Sequence, residues 1–263
     1  LWFGLILTFF VYYFGVLTHI FELDFDTSFR YPYDGDIEEF VHQLRANSTP
    51  KVPPINPYNF YFSKPCIEKC RNVESLRLVF LVKSAPENWE RRVAIRSSWG
   101  FEHRFSDVEI RTVFLLGERS DQELQQRLDK EAGKFNDLVQ ANFTDNYYNN
   151  TFKTMMGFTW AVKYCANSRF YIFVDDDYFV STKNLLRFIR HPTAYPSYLE
   201  PTNQRKLQQF DFDLDENVRL YAGFVFKSAP HRHRTSKWYV SLDEYPYDMW
   251  PPYVTAGAYV LSR

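Results

Sequence analysis

The chain is poor in histidine and cysteine, and it has no excess of charge of either sign. Its six scattered histidines are too few for the ligand sets that metal-dependent nucleases and phosphodiesterases spread over several strand ends. A formal net charge of -1 gives no global reason to expect a nucleic-acid partner. No internal repeat is evident in the 263 residues. These absences argue against a nuclease, a nucleic-acid-binding protein and a repeat protein.

The three cysteines, Cys66, Cys70 and Cys165, are compatible with an oxidising compartment. Cys66 and Cys70 have the spacing of half a zinc site, but no second Cys/His pair completes it. Disulfide bonding or free thiols are therefore the favoured states, and the odd count leaves the pairing open.

Hydrophobic residues make up 45% of the chain and aromatic residues 19%, which indicates a packed core rather than disorder. From Leu76 onwards short apolar runs alternate with amphipathic stretches, and Ser120 and Glu123 have capping-box spacing. Strands that alternate with helices predict an α/β fold with a mostly parallel sheet. The expected strands are 78–82, 112–116, 138–139, 170–174, 220–226 and 258–261, and the expected helices are 36–44, 86–99, 120–134, 152–164 and 182–190.

Residues 1–21 contain no charged side chain. An apolar run of about 20 residues is long enough to cross a bilayer as a helix, and Thr18 to Phe21 offer no small-residue cleavage site. The next segment carries Glu22, Asp24 and Asp26 before its first basic residue, so we expect this flank outside the cytosol. The hypothesis is a type II signal anchor at 1–21 and a Pro-rich lumenal stem at 22–75.

Three N-x-S/T triplets begin at Asn47, Asn142 and Asn149. Each triplet alone is a weak signal, because such triplets also occur by chance. Glycosylation at these asparagines would agree with a lumenal location.

The segment Arg169 to Val180, RFYIFVDDDYFV, joins an apolar strand to three consecutive carboxylates. The strand is rich in aromatic and β-branched residues, which is typical of a strand buried on both faces. Three adjacent negative charges repel one another and resist desolvation unless a divalent cation neutralises them. Ligands of open α/β sheets bind at the carboxyl ends of strands, so one interpretation is a metal site that holds a diphosphate. The alternative is an acidic turn after a strand.

A basic cluster, Arg91, Arg92 and Arg96, follows the first strand. On a helix Arg92 and Arg96 share a face, and their guanidinium groups suit phosphate or a uracil edge. A solvated basic helix face is the alternative interpretation.

Five segments carry motifs in a fixed order. They are NWERRVAIRSSW at Asn88–Trp99, FLLG at Phe114–Gly117, a DxYxNxTxKT pattern at Asp145–Thr154, VDDDxFV at Val174–Val180 and an aromatic block at Lys237–Ser262. This set resembles the signatures of the β1,3-glycosyltransferases of glycosyltransferase family 31, the β1,3-galactosyl- and N-acetylglucosaminyltransferases. The resemblance covers about residues 76–263, and the chain departs from the family pattern at Asn150, Ala256 and Ala258.

The resemblance implies a GT-A, Rossmann-like nucleotide-sugar part at 76–190 and an acceptor-binding part at 191–263. It also implies a UDP-sugar donor, Mn²⁺ or Mg²⁺ as cofactor, and inverting transfer of Gal or GlcNAc to the 3-hydroxyl of a glycan on glycolipid or glycoprotein. A metal would neutralise the charge that develops on the departing diphosphate. Asp177 is then expected to be the direct metal ligand, with Asp175 beside it. Donor contacts are expected from Arg92, Arg96, Lys153, Asp175 and Asp176.

On the acceptor side the resemblance points to Trp238, Asp243, Glu244, Trp250 and Tyr253. Aromatic rings suit sugar faces, and a core role is their alternative. The basic run His231–Arg234 is interpreted as a solvated loop rather than as a metal or phosphate site.

The family's catalytic base is an Asp in a Glu-Asp-Val segment beyond the YVLS motif, which here occupies Tyr259–Ser262. The sequence stops at Arg263, before such a segment, so the base is expected beyond Arg263. We therefore expect a C-terminally truncated fragment that does not itself catalyse transfer.

The tyrosine-rich stem resembles that of brainiac-type enzymes, which act on glycolipid. The location implied is the Golgi membrane. The alternative function is a catalytically inactive glycan-binding or chaperone-like homologue that keeps the fold.

Overall fold

The computed structural model describes residues 2–33, 35–199 and 219–263. The chain forms two compact units, one of residues 1–57 and 225–254 and the other of residues 58–224 and 255–263. The predicted divisions at 21, 75 and 190 stay predictions. Part of the predicted acceptor portion, residues 200–218, lies outside the described residues.

The α/β pattern forms a sheet that contains seven strands within the described ranges, in the order β1-β4-β3-β2-β5-β7-β6. Strands β2, β3, β4 and β5 run parallel, whereas β1 is antiparallel to β4 and β7 is antiparallel to β5. The mostly parallel sheet is as expected. The strands are β1 (Phe62–Lys64), β2 (Leu76–Lys83), β3 (Glu109–Glu118), β4 (Leu138–Thr144), β5 (Phe170–Asp175), β6 (Tyr221–Phe226) and β7 (Tyr253–Ser262).

The central strands are apolar because both of their faces are covered. Leu78, Phe80 and Val82 of β2 and Phe170 of β5 have no exposed surface. Burial of one such side chain contributes about 1.5–3 kcal/mol, so these strands contribute strongly to the stability of this unit. The sheet therefore offers a rigid base for the loops that leave its edge.

Among the described residues of this unit, four α-helices lie between the strands: α5 (Trp89–Ser97), α6 (Gln122–Phe135), α7 (Asn150–Tyr164) and α8 (Thr182–Arg190). The predicted bounds of α8 are confirmed. The N-cap of α6 is Asp121, whose carboxylate accepts from the N–H groups of Glu123 and Leu124, so the capping box predicted at Ser120 is wrong by one residue.

A disulfide joins Cys70 to Cys165 across 95 residues of sequence, which resolves the pairing that the odd count left open. Cys66 remains a thiol, and its Sγ lies 3.1 Å from the carbonyl oxygen of Asn136. Burial raises the pKa of the Cys66 thiol to about 11. The thiol is therefore protonated and unreactive near neutral pH.

The other unit contains the N-terminal helices α1 (Trp2–Tyr13), α2 (Val16–Ile20), α3 (Phe25–Ser28) and α4 (Ile37–Arg45). Residues 1–21 were expected to form one helix, but Gly15 adopts a left-handed conformation (φ +69°) and separates α1 from α2. Within the described residues, every helix is too short or too polar to span a membrane. The side chains of α1 are apolar and mostly exposed, with Trp2 79% and Phe3 80% exposed.

Candidate active site

The three consecutive carboxylates lie where β5 ends. Asp175 is the last residue of β5, and its register partner is Lys83, the last residue of the parallel strand β2. A turn then carries Asp176 and Asp177, and the N–H of Tyr178 donates to the Asp175 carbonyl at 3.2 Å. Because parallel strands end at one edge of a sheet, the loops after β2 and β3 leave from the same edge as this turn.

Asp175 is paired with a buried lysine. The Nζ of Lys83 lies 2.8 Å from Asp175 Oδ1 and donates to the carbonyl of Ala256 at 2.7 Å. Burial raises the pKa of Asp175; Lys83 opposes this rise, whereas the charges of Asp177 and Asp176 add to it. Lys83 thus balances the charge of this half-buried carboxylate and holds it at the end of β5.

Asp176 is the most buried of the three and fixes the turn. Its carboxylate accepts from Ser84 Oγ at 2.7 Å, Asn88 Nδ2 at 2.8 Å and Arg91 Nη1 at 2.8 Å. Its backbone N–H donates to the carbonyl of Lys83 at 3.1 Å. Asp176 therefore joins the turn after β5 to the loop after β2.

Asp177 is the most accessible of the three carboxylates, with 59% of its side chain exposed. Arg91 Nη1 approaches its Oδ2 to 3.9 Å. Carboxylate oxygens suit Mg²⁺ and Mn²⁺, so the donor chemistry at Asp177 and Asp175 fits the expected ion. Within the described residues no group of three or more His, Cys, Asp or Glu side chains is arranged to hold a metal ion. One or two carboxylates with substrate phosphates and water are a common shell for Mg²⁺.

The arginines of the basic cluster differ in exposure: Arg92 is buried, Arg96 is half-buried and Arg91 is exposed. Arg92 has no exposed surface, and its Nε and Nη2 donate to Glu131 at 2.8 and 2.7 Å. Arg96 donates to both oxygens of Asp137 and, at 2.6 Å, to Glu131. These contacts give Arg92 and Arg96 roles inside the protein, and donor contact by either residue stays a prediction. Arg91 is the member beside the acidic turn.

Lys153 is also buried, near the same edge of the sheet. Its Nζ donates to the carbonyl of Ser84 at 2.6 Å and to Asp145 Oδ1 at 2.9 Å. The other Asp145 oxygen accepts from the N–H of Gly117 at 2.7 Å. Residues from the FLLG motif and the DxYxNxTxKT motif thus converge on the loop after β2, although they are far apart in sequence. Contact of Lys153 with a nucleotide stays a prediction.

Gly257 of β7 lies against the turn. A Cβ at this position would overlap the phenol oxygen of Tyr178, which follows the three carboxylates. The GxY pattern at 257–259 therefore has a steric reason, because only glycine lets β7 approach the turn this closely.

Arg263, the last residue of the sequence, lies at the opposite end of β5 from the three carboxylates. Its N–H donates to the carbonyl of Arg169 at 3.0 Å, and its Nη1 donates to the carbonyl of Ala166 at 3.3 Å. Both partners precede β5, because β7 runs antiparallel to that strand. These contacts give Arg263 a role in holding the end of β7. A catalytic base beyond Arg263 stays a prediction, and so does the inactivity of the chain as given.

The unit of residues 1–57 and 225–254 contains a cavity of about 860 Å³ that is lined mainly by aromatic side chains. Its volume is in the range usual for small-molecule sites. The lining includes three of the predicted acceptor residues, Trp238, Trp250 and Tyr253, together with Phe226, His231 and Tyr239. The rings of His231 and Trp238 lie 5.5 Å apart between centroids.

The other two predicted acceptor residues lie in a turn and are not among the residues that line this cavity. The Glu244 carboxylate accepts from the N–H and the hydroxyl of Ser241, both at 2.9 Å. These bonds, chiefly the one from the backbone N–H, lower the pKa of Glu244. Asp243 belongs to the same turn. The arrangement indicates a turn-stabilising role for Glu244.

In the run His231–Arg234, expected to be a solvated loop, His231 and Arg234 are exposed, but Arg232 is not. Arg232 is buried and paired with Glu22, a contact that joins residues 210 positions apart in sequence. A charge run on its own gives no sign of such a distant partner.

The three predicted glycosylation sites differ in exposure. Asn47 is exposed, whereas Asn142 accepts from the N–H of Tyr61 at 2.6 Å and Asn149 Nδ2 donates to the Thr144 carbonyl at 2.8 Å. Asn142 and Asn149 are half-buried, so Asn47 is the most accessible of the three.

Sequence reasoning missed Lys83, Ser84, Asn88 and Arg91 as parts of the acidic site. Asn88 and Arg91 are three residues apart at the start of α5, which places them on one face, and this spacing was the available signal. Lys83 is indicated only by its register with Asp175.

Residues 90–263 match the family model described as Galactosyltransferase. The chain is 42% identical over 260 residues to "Beta-1,3-galactosyltransferase brn" of Drosophila melanogaster, which covers 95% of this chain and 68% of that protein. It is 32% identical to human "Beta-1,3-galactosyltransferase 1" over 81% of this chain and 59% of that protein.

A third relative is the human "Lactosylceramide 1,3-N-acetyl-beta-D-glucosaminyltransferase", at 36% identity over 74% of this chain and 48% of that protein. The chain thus spans between about half and two thirds of the length of the curated relatives it matches. On the family match and the 42% identity over most of its length, this chain belongs to the galactosyltransferase family, as its ordered motifs predicted.

Proposed function

We propose that the protein transfers Gal or GlcNAc, with inversion, from a UDP-sugar to the 3-hydroxyl of an acceptor glycan and so forms a β1,3 linkage. Membership of the galactosyltransferase family supports the reaction class. The main observation in favour of a donor site is that Asp175 and the exposed Asp177 lie at the carboxyl end of β5. This position is where open α/β sheets bind nucleotides.

The chain's own residues prepare this site in three ways. Asp176, held by three donated hydrogen bonds, keeps the turn in place before a ligand arrives. Arg91 supplies a half-exposed positive charge beside the turn. Asp177 and Asp175 offer the oxygens that would hold Mn²⁺ or Mg²⁺ against the diphosphate. When bound, such an ion neutralises charge on the leaving group.

The aromatic cavity lined by Trp238, Trp250 and Tyr253 is the proposed acceptor site. Flat apolar rings with a few polar edges suit the faces of a sugar. The name of one human relative gives lactosylceramide as its acceptor, which supports a glycan on a lipid or a protein as the substrate class here.

The location is part of the proposal: a Golgi membrane, with residues 1–21 as a single-pass type II anchor and the catalytic part in the lumen. The exposed apolar side chains of α1 and the exposed sequon at Asn47 support it.

Titration calorimetry of UDP with the purified chain, with and without Mn²⁺, tests the donor site without requiring turnover. Asp177→Ala removes the accessible carboxylate, so we expect UDP affinity in Mn²⁺ to fall at least tenfold and the gain from Mn²⁺ to disappear. Asp107→Ala is the matched control, because Asp107 is an exposed carboxylate near the start of β3, at the opposite edge of the sheet. Equal UDP affinity in wild type and Asp177→Ala would reject the assignment.

A further inference from the structure

Arg232 is buried in the unit that contains the aromatic cavity, and its guanidinium organises the neighbouring backbone. Its Nη1 donates to the carbonyls of Val240 and Ser241 at 2.8 and 2.9 Å. Its Nη2 donates to the carbonyls of Tyr245 and Tyr247 at 2.7 and 3.0 Å. Val240 itself lines the cavity, so these bonds fix the backbone that forms one wall.

Glu22 supplies the negative charge that this arrangement needs. Its Oε1 accepts from Arg232 Nε at 2.7 Å, and the two side chains are 6% and 0% exposed. Within the part of the chain that the structure describes, Glu22 is the one carboxylate in an ion pair with Arg232. A buried guanidinium that loses its counter-charge must recruit water or move outwards, and either change disturbs the groups it bonds.

The residues after Glu22 form hydrogen bonds with residues 246–248, next to the carbonyls that Arg232 binds. The N–H of Leu23 donates to the Pro246 carbonyl at 2.9 Å, and the N–H of Asp248 donates to the Leu23 carbonyl at 3.0 Å. The Asp248 carboxylate accepts from the N–H of Phe25 at 2.9 Å. The beginning of the predicted stem is therefore hydrogen-bonded to residues 246–248 of this unit.

We infer that Glu22, acting through Arg232, is a positioning residue for the aromatic cavity and so for acceptor binding. The inference rests on the proposed acceptor role of that cavity. Glu22 neutralises Arg232, Arg232 holds the carbonyls of Val240 and Ser241, and these fix the wall that carries Trp238 and Tyr239. Aromatic side chains recognise a sugar only when they are held in place, so loss of Glu22 lowers acceptor affinity without contact to the acceptor.

Glu22→Gln and Glu22→Ala in the full chain test the inference. Hydrogen exchange is followed at the bonded amides of Val240, which donates to His231, and Tyr245, which donates to Ser241. Binding of p-nitrophenyl β-galactoside, β-glucoside, β-mannoside and β-N-acetylglucosaminide is measured by ligand-observed NMR, and UDP binding by calorimetry. Glu38→Ala is the control, because Glu38 is an exposed carboxylate on α4 of the same unit.

We expect at least tenfold faster exchange at both amides in Glu22→Ala, with a smaller change in Glu22→Gln, which keeps an oxygen acceptor. We expect the affinity for the best glycoside to fall at least fivefold and the affinity for UDP to stay within twofold of wild type. A general loss of stability would lower both affinities. Unchanged exchange at Val240 and Tyr245 in Glu22→Ala overturns the inference. If wild type binds none of the glycosides, the proposed acceptor role fails with it, while normal UDP binding leaves the donor site of the proposed function standing.

Discussion

Glu131 is the buried carboxylate that pairs with two arginines of the basic cluster, Arg92 and Arg96. Its carboxylate accepts from Arg92 at 2.7 and 2.8 Å and from Arg96 at 2.6 Å, and only 2% of its side chain is exposed. Removing the charge leaves Arg92 without its counter-ion and Arg96 with Asp137 alone. Breaking a buried pair in this way costs about 3–5 kcal/mol.

We therefore predict that Glu131→Gln lowers the free energy of unfolding by about 3–5 kcal/mol in urea denaturation. The matched control is Glu123→Gln on the same helix, whose partner Arg127 is exposed, and this change should cost less than about 1 kcal/mol. Similar losses in the two variants would contradict the role assigned to Glu131.

At this scale the sequence indicates the acidic turn but not its partners. Asp175 to Asp177 stand out because a buried strand has no reason to end in three charges. Lys83 ends an apolar strand and gives no sign of its partner in the sequence. Which arginine of the cluster faces the acidic turn depends on the orientation of α5 about its axis, which the pattern of so short a helix does not reveal. Arg92 and Arg96 do share a face, as expected, but that face is turned to Glu131 and Asp137.

Gly157 decides how closely α7 packs on the sheet. A Cβ there would lie 2.6 Å from a ring carbon of Phe173 and 2.7 Å from a methyl carbon of Leu115, and both neighbours are buried in the sheet. Overpacking of this kind costs about 1–3 kcal/mol.

Gly157→Ala is therefore predicted to lower the thermal unfolding midpoint. Gly133→Ala, in the exposed part of α6 with open space around it, should raise the midpoint, because alanine is favoured over glycine in a helix by about 1 kcal/mol. Differential scanning calorimetry gives both shifts. A stabilised Gly157→Ala protein would show that α7 does not pack as described.

The strand and helix pattern between residues 76 and 190 is largely predictable, because apolar periodicity reports burial directly. The sequence predicted a strand at 138–139 only, because polar residues such as Gln140 and Asn142 follow it, whereas β4 continues to Thr144. Gln140 is nonetheless buried, since its amide bonds the Gly117 carbonyl and Gln125. The pairing of β1 with β4 and the antiparallel direction of β7 depend on distant contacts, which periodicity cannot report.

The N-terminal region is held by contacts with residues far along the chain. Residues 22–30 belong to the predicted stem, residues 22–75, yet Glu22 and Phe25 form hydrogen bonds with residues more than 200 positions later in the sequence. The proposed type II topology places everything after residue 21 in the lumen.

In sealed microsomes that contain the full-length protein, added trypsin should therefore leave the C-terminal part intact until detergent is supplied. A tag placed before the apolar segment should be digested in both conditions and serves as the control. Digestion of the C-terminal part in intact vesicles would refute the topology.

The short strand β1 has a consequence for how these molecules behave at high concentration. It pairs antiparallel with β4 across an irregularity in register, and Lys64 at its end forms an ion pair with Asp129 at 2.6 Å. Gln140 and Ala141 of β4 are thereby paired within the chain itself. A short, charged, irregular edge strand of this kind gives a neighbouring molecule little to pair with, which disfavours self-association at the β1 edge of the sheet.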